Sequence, residues 1–174
     1  MIASVFLVRE PGGLRISDWA LLTEGFGAAA LVATGVMAFS RWSSRRTEWG
    51  RDLSREFHDF LGGLSSRQIL VLSLLSAFGE EILFRGVMQP RLGFWPTAAL
   101  FAGFHFPFRR RMVPWTVFAG VLGIVLGGLT EWCASLWPPI ALHFAINYFN
   151  IHDLAGYPPR EETISGKAQP PSMP

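Results

Sequence analysis

Two adjacent carboxylates, Glu80 and Glu81, stand in "SAFGEEILFRG" (residues 76–86), with Arg85 four positions past Glu81, inside a run that is otherwise apolar. On a helix Glu81 and Arg85 share one face, carboxylate N-terminal to cation, so they can form an ion pair in which each lowers the other's cost of burial. Glu80 lies about 100° further round the helix and has no cation in its own segment. That is the setting in which a carboxyl group takes and returns a proton near neutral pH. Two later segments bring further polar groups: His105, and His143 with Asn147 four residues on. An imidazole and an amide on one face could donate hydrogen bonds to an oxyanion. Phe101 precedes His105 by four residues, so its ring can pack beside the imidazole and fix the rotamer. Each feature alone also has an ordinary reading: a structural ion pair, an interfacial histidine, or hydrogen-bonding glue between helices. Glu80 is the hardest to explain that way.

The elements that must position these groups are apolar. Half of the 174 residues are hydrophobic and only 16% are charged, against about 25% in a typical soluble domain. Seven Trp, fifteen Phe and a mean hydropathy of +0.31 point the same way, to a bilayer. A membrane span takes about 20 apolar residues, and five segments are read as spans: Trp19–Ser40, Ile69–Gln89, Leu92–Phe108, Met112–Leu129 and Trp132–Ile151. The last is interrupted by "WPP" at 137–139, so its ordered helix should begin near Pro138. Residues 41–68 form an Arg-rich connector in which Leu53, Phe57 and Phe60 have helical spacing, as in an amphipathic helix on the membrane surface. The fold class expected is all-α: a polytopic integral membrane bundle of about five transmembrane helices with an amphipathic connector. Residues 1–155 form one domain, and the Pro-rich, polar stretch 156–174 reads as a disordered tail.

Glu80 then sits roughly 16–18 Å from either end of its span, where a charge costs about 2.5–3.5 kcal/mol to insert. Polar groups on three segments at compatible depth suggest one shared, wet pocket. Glu24, His58, His152 and Asp153 fall near segment ends and are read as interface residues. Six Arg in the 41–68 connector and the cluster at 109–111 are separated by two spans, so both can face the cytoplasm. This puts the N-terminus outside and the C-terminus inside. The formal charge of +2, with no long basic run, argues against nucleic acid as a partner. Cys133 is the sole cysteine and reads as an apolar filler, with no disulfide or CxxC site. No signal peptide is read in "MIASVFLV".

The three motifs, "EEILFR", "FAGFH" and "HFAIN", resemble in order and spacing those of the CPBP (CAAX protease and bacteriocin-processing, or Abi) family of intramembrane endopeptidases. "SLWPPIALHFAINYF" is similar to the family's last motif helix with its run-in. The resemblance covers about residues 70–150. It implies an endopeptidase acting near the membrane-held C-terminal region of a protein or peptide substrate, in a bacterial inner membrane. Glu80 would be the general base activating a water, His105 would help hold that water, and His143 and Asn147 would line the oxyanion side. Glu81, Arg85 and Phe101 would support the site. Bacterial relatives are tied to bacteriocin maturation or immunity and to processing of sorting signals.

No cofactor is expected, and there is no HExxH motif. Glu80, His105 and His143 could nonetheless form a three-ligand zinc site with an open position. Two other classes use the same residues. One is a non-catalytic immunity or scaffold protein that binds a partner through the pocket. The other is a small transporter, disfavoured by the lack of inverted repeats.

Overall fold

The computed structural model describes residues 18–106, 109 and 112–158, and every regular element among them is helical. The opening segment, Arg110 and Arg111, and the tail from residue 159 lie outside the described residues. Helix α1 (Trp19–Arg46) starts where Asp18 Oδ1 accepts the N–H groups of Ala20 and Leu21. Thr47 closes α1 and opens α2 (Glu48–Leu61): its hydroxyl donates to Ser43 O and accepts from Gly50 N–H. A Cβ at position 50 would run into the Ser43 carbonyl, so this corner needs glycine. Helix α3 (Ser66–Glu81) begins with a capping box between Ser65 and Gln68. It continues without a break into a π-helical turn, Ile82–Met88, and a last short turn, α4 (Gln89–Leu92).

Gly93, at φ 87°, ends that rod and starts α5 (Phe94–Phe104). Helix α6 (Val113–Cys133) and α7 (Trp137–Ala155) follow, both with proline in the first turn. Helices α5 and α6 pack closely because Gly120, Gly123 and Gly127 present no side chain: a Cβ at each would meet Ala102, Phe101, or Gln89 and Phe94, at 3.3 Å or less. The rod is tied to the same stripe by hydrogen bonds from Arg85 Nη2 to Gly123 O (3.0 Å) and Gln89 Nε2 to Gly127 O (3.2 Å). Helix α1 lies along α7, where Ala29 and Ala33 join the core with Leu142 and Ile146. At one end Arg41 holds Asp153 in a two-pronged pair, the shorter contact 2.6 Å.

The distribution of polarity is the reverse of a water-soluble bundle. Glu81 and Arg85 are 0% and 2% exposed, while Leu31, Trp95 and Phe104 are each more than two-thirds exposed. Among the described residues two helices, α1 and α6, are long and apolar enough to cross a membrane; α5 is apolar but has 11 residues. Of the five expected segments, two hold helices that meet this test; in the second, α3 has 16 residues before the π turn, and the helix of the third ends at Phe104. The fifth begins at Trp137 rather than Trp132, after Ala134 turns the chain in the left-handed region (φ 48°). The amphipathic connector helix is α2. Just past α7 the Tyr157 hydroxyl donates to Ser44 O at 3.1 Å. Cys133 is buried and free, with Sγ 3.6 Å from Leu21 O.

Candidate active site

Glu80 and Glu81 occupy the last turn of α3, just before the π turn. A π turn accommodates an extra residue, and here the consecutive residues Phe84 and Arg85 both face inward. Arg85 Nη1 donates to Glu81 Oε1 at 3.1 Å, so the expected i, i+4 pair forms, fully enclosed. The same oxygen accepts from His143 Nδ1 at 2.8 Å. Glu81 thus fixes the imidazole of α7 as well as the guanidinium of its own rod. With Nδ1–H committed to Glu81, Nε2 of His143 points the other way, to Glu80 Oε2 at 3.9 Å.

His105 reaches the same oxygen from α5. The helix ends one residue earlier: the His105 backbone N–H bonds to Ala102 O (3.1 Å), leaving the Phe101 carbonyl without its usual i+4 donor. His105 Nδ1 fills that role, donating to Phe101 O at 2.7 Å. Its Nε2 then faces Glu80 Oε2 at 3.5 Å. Phe101 lies between the imidazole of His105 (ring centroids 4.5 Å apart) and the guanidinium of Arg85 (4.3 Å from its ring), so it holds both planes. Trp115 of α6 backs His105 from another side, at 5.7 Å.

Glu80 Oε2 is buried and meets no hydrogen-bond donor within the protein. Both facing nitrogens, in neutral rings tautomerised as above, present lone pairs to it. The arrangement focuses one carboxyl oxygen and two imidazole nitrogens on a small volume in which a hydrogen-bond donor or a cation is needed. Asn147 lines the same space one turn beyond His143, and its Nδ2 donates to Ser76 Oγ at 2.8 Å. An amide nitrogen has two hydrogens, so one remains. A cavity of about 300 Å³ opens from these groups.

The structure therefore brings Glu80, His105, His143 and Asn147 together, with Glu81, Arg85 and Phe101 behind them. It leaves Asp153 with Arg41, and His58 with Leu154 O at 3.2 Å, outside that focus. Sequence reasoning missed Ser76, whose signal was its place one turn before Glu80 on the same face, and Trp115, which had none. Glu80 Oε2 lies 3.5 and 3.9 Å from Nε2 of His105 and His143, somewhat wider than the roughly 3.3 Å between two ligands of a tetrahedral zinc ion. Among the described residues no group of three or more His, Cys, Asp or Glu is arranged to hold a metal.

A helical bundle that encloses ionisable groups from three converging helices defines a class of membrane-embedded proteins, and comparison with known proteins gives that class its family. The model for type II CAAX prenyl endopeptidases, Rce1-like, matches residues 63–149, half of the chain and all three motifs. The chain belongs to this family, which is one of proteases. Among individual proteins it is similar to the uncharacterized protein YpbD of Bacillus subtilis (strain 168), 32% identical over 134 residues, covering 76% of this chain and 68% of that protein. No solved structure matches.

Proposed function

We propose that this protein is an intramembrane endopeptidase that hydrolyses a peptide bond near the membrane-held C-terminal region of a protein or peptide substrate. The observation that carries the reading is Glu80 Oε2, buried without a donor and faced by Nε2 of His105 and His143. In this reading the Glu80 carboxylate removes a proton from a water that His105 Nε2 helps to hold. The water oxygen attacks the scissile carbonyl carbon, and the π electrons move to the carbonyl oxygen. The remaining N–H of Asn147, and Nε2–H of His143 when that ring is protonated against Glu81, stabilise the oxyanion. Collapse expels the amide nitrogen, which takes the proton from Glu80, leaving a carboxylic acid and an amine.

The chemistry is proposed to be metal-free, with the Glu80 carboxylate rather than a metal ion activating the water. The proposed setting is a bacterial inner membrane, N-terminus outside and C-terminus cytoplasmic, with the remaining motif helices completing the spans. In support, Arg109 Nη1 lies 3.4 Å from Glu56 of α2, so Arg109 and the Arg-rich connector share one end of the molecule. The test is cleavage of a membrane-anchored peptide reporter by purified protein in phospholipid vesicles. Glu80→Gln, nearly isosteric, should abolish cleavage with the thermal transition unchanged. Processing at the wild-type rate by Glu80→Gln would refute the reading.

A further inference from the structure

The polar groups of α3 and α7 form a series that runs on past the active site. Glu80 faces His143, and one turn back along α3 Ser76 accepts from Asn147, one turn forward along α7. The two helices are therefore antiparallel, and the same register sets Ser73 opposite Asn150 and Ile69 opposite Leu154. Ser73, Ser76 and Glu80 share one face of α3, as His143, Asn147 and Asn150 share one face of α7. Ser73 is fully enclosed. Its Oγ and Asn150 Oδ1 are both buried and have no hydrogen-bond partner among the described residues.

Elsewhere in the bundle a hydroxyl inside a helix is spent on its own backbone. Thr23, Thr34 and Thr130 each donate to the carbonyl four residues back, at 2.8, 2.8 and 2.9 Å. Ser73 makes no such bond. A buried polar atom without a partner is costly, and here two of complementary kind stand in register. One is a hydroxyl, which can donate and accept; the other is an amide oxygen, which accepts. A water between two helices needs at least two polar partners, and this pair supplies them.

Beyond this pair the seam has one dry step. Ile69, 2% exposed, lies one turn before Ser73 and also lines a surface recess of about 470 Å³ together with Ser66, His152 and Asp153. The recess lies at the end of the bundle where Arg41 holds Asp153. From Ile69 to Glu80 the distance along α3 is about 16 Å. The cavity at Glu80 has other walls, among them Phe57, Phe60 and Leu61 of α2 and Trp115 of α6, and Ser73 does not line it. A peptide bound for hydrolysis fills that cavity and expels its water, yet each bond broken consumes one.

We propose that the seam between α3 and α7 is the route by which water reaches Glu80 while a peptide occupies the cavity. Ser73 and Asn150 hold a water between them, and Ile69 separates it from the recess. The proposal rests on the endopeptidase reading above, in which every peptide bond hydrolysed takes up one water. The hydroxyl of that water goes to the acyl carbon and its proton, by way of Glu80, to the amine. The seam acts through occupancy. With its polar partners removed, water stands beside Glu80 for a smaller fraction of the time, so kcat falls and peptide binding does not.

Asn147 and Asn150 are the two asparagines of the chain, so asparagine labelled with nitrogen-15 reports on this seam alone, and Asn150→Leu assigns the two signals. In the full chain in phosphatidylethanolamine–phosphatidylglycerol nanodiscs, water-edited NMR should show transfer from water to the Asn150 side-chain amide. Ile69→Phe should reduce that transfer several-fold. Saturating Glu80→Gln with the membrane-anchored reporter, which it binds without cleaving, should leave the transfer unchanged. In vesicles, Ser73→Thr and Ser73→Val are equal in bulk and differ in the hydroxyl; their kcat values should lie about tenfold apart at the same KM. Wild-type protein with no transfer to Asn150, or transfer that the bound reporter abolishes, would overturn the seam and leave the endopeptidase reading standing. Equal kcat for Ser73→Thr and Ser73→Val would do the same. Transfer that depends on Ile69, with no Glu80-dependent cleavage of any reporter, would overturn the endopeptidase reading and with it the use given to this water.

Discussion

Glu81→Gln separates two jobs that one carboxylate performs. Glu81 Oε1 accepts from Arg85 Nη1 at 3.1 Å and from His143 Nδ1 at 2.8 Å, and neither Glu81 nor Arg85 is more than 2% exposed. Removing the negative charge leaves a buried guanidinium uncompensated, which costs about 3–5 kcal/mol. It also lets an amide N–H compete with the imidazole, so His143 no longer keeps its Nδ1–H tautomer. Loss of the carboxylate that orients a catalytic imidazole can cost on the order of 10⁴ in kcat; here a fall of about 10²–10⁴ is expected. The double variant Glu81→Gln/Arg85→Met distinguishes the two effects. Taking out both charges should recover most of the stability, since replacing a buried pair with packed apolar groups is often neutral, whereas His143 stays without its anchor. Thermal unfolding in detergent and reporter cleavage in vesicles, measured on all four members of the cycle, give both readouts. Activity that returned in step with stability in the double variant would refute the claim that Glu81 orients His143.

Asn147→Leu should lower kcat by about 10²–10³, the usual effect of losing one oxyanion donor, while Ser76→Ala, which removes only the group holding that amide, should cost less; equal losses in steady-state kinetics would count against a direct role for Asn147. Gly127→Ala should destabilise by about 1–3 kcal/mol, because its Cβ would come within 2.9 Å of Gln89 Oε1 and 3.0 Å of Phe94. Gly128→Ala, with open space around it, should leave the unfolding midpoint unchanged or raised, and a matching loss at both positions would contradict the packing described. Prolonged dialysis against a strong chelator should leave the cleavage rate unchanged, and recovery of a lost rate on adding zinc would overturn the metal-free reading.

Much of the focus of the site was legible because it rests on local spacing. Glu81 with Arg85, Phe101 with His105 and His143 with Asn147 are each four apart, and helical geometry alone puts each pair on one face. The depth argument then required the three faces to meet. What could not be read are contacts between segments distant in sequence. Nothing near Glu81 announces that its second partner is His143, sixty-two residues away, and nothing near Asn147 announces Ser76. Helix ends were the other blind spot. The apolar run past Phe104 reads as continuing helix, yet the helix stops there, and it is the freed Phe101 carbonyl that orients His105. The amphipathic helix α2 was visible from Leu53, Phe57 and Phe60, but not its position over the cavity. The count of spans could not be read from composition alone, since where each helix starts and stops, as at the π turn after Glu81 and at Phe104, is set by local geometry.

The wide turn at Ile82–Met88 divides the rod into two halves with separate registers. Ahead of it Glu81 is bonded to His143 of α7; behind it Gln89 is fastened to α6. Were the spare residue lost and the turn tightened to an ordinary α-helical one, everything downstream would rotate by about 100° relative to the carboxylates. Glu81 and the Gln89 fastening could then not both be satisfied. A one-residue deletion in this turn is thus a more drastic change than most substitutions within it, and the length of the stretch from Glu81 to Gln89 constrains this chain as tightly as its composition does.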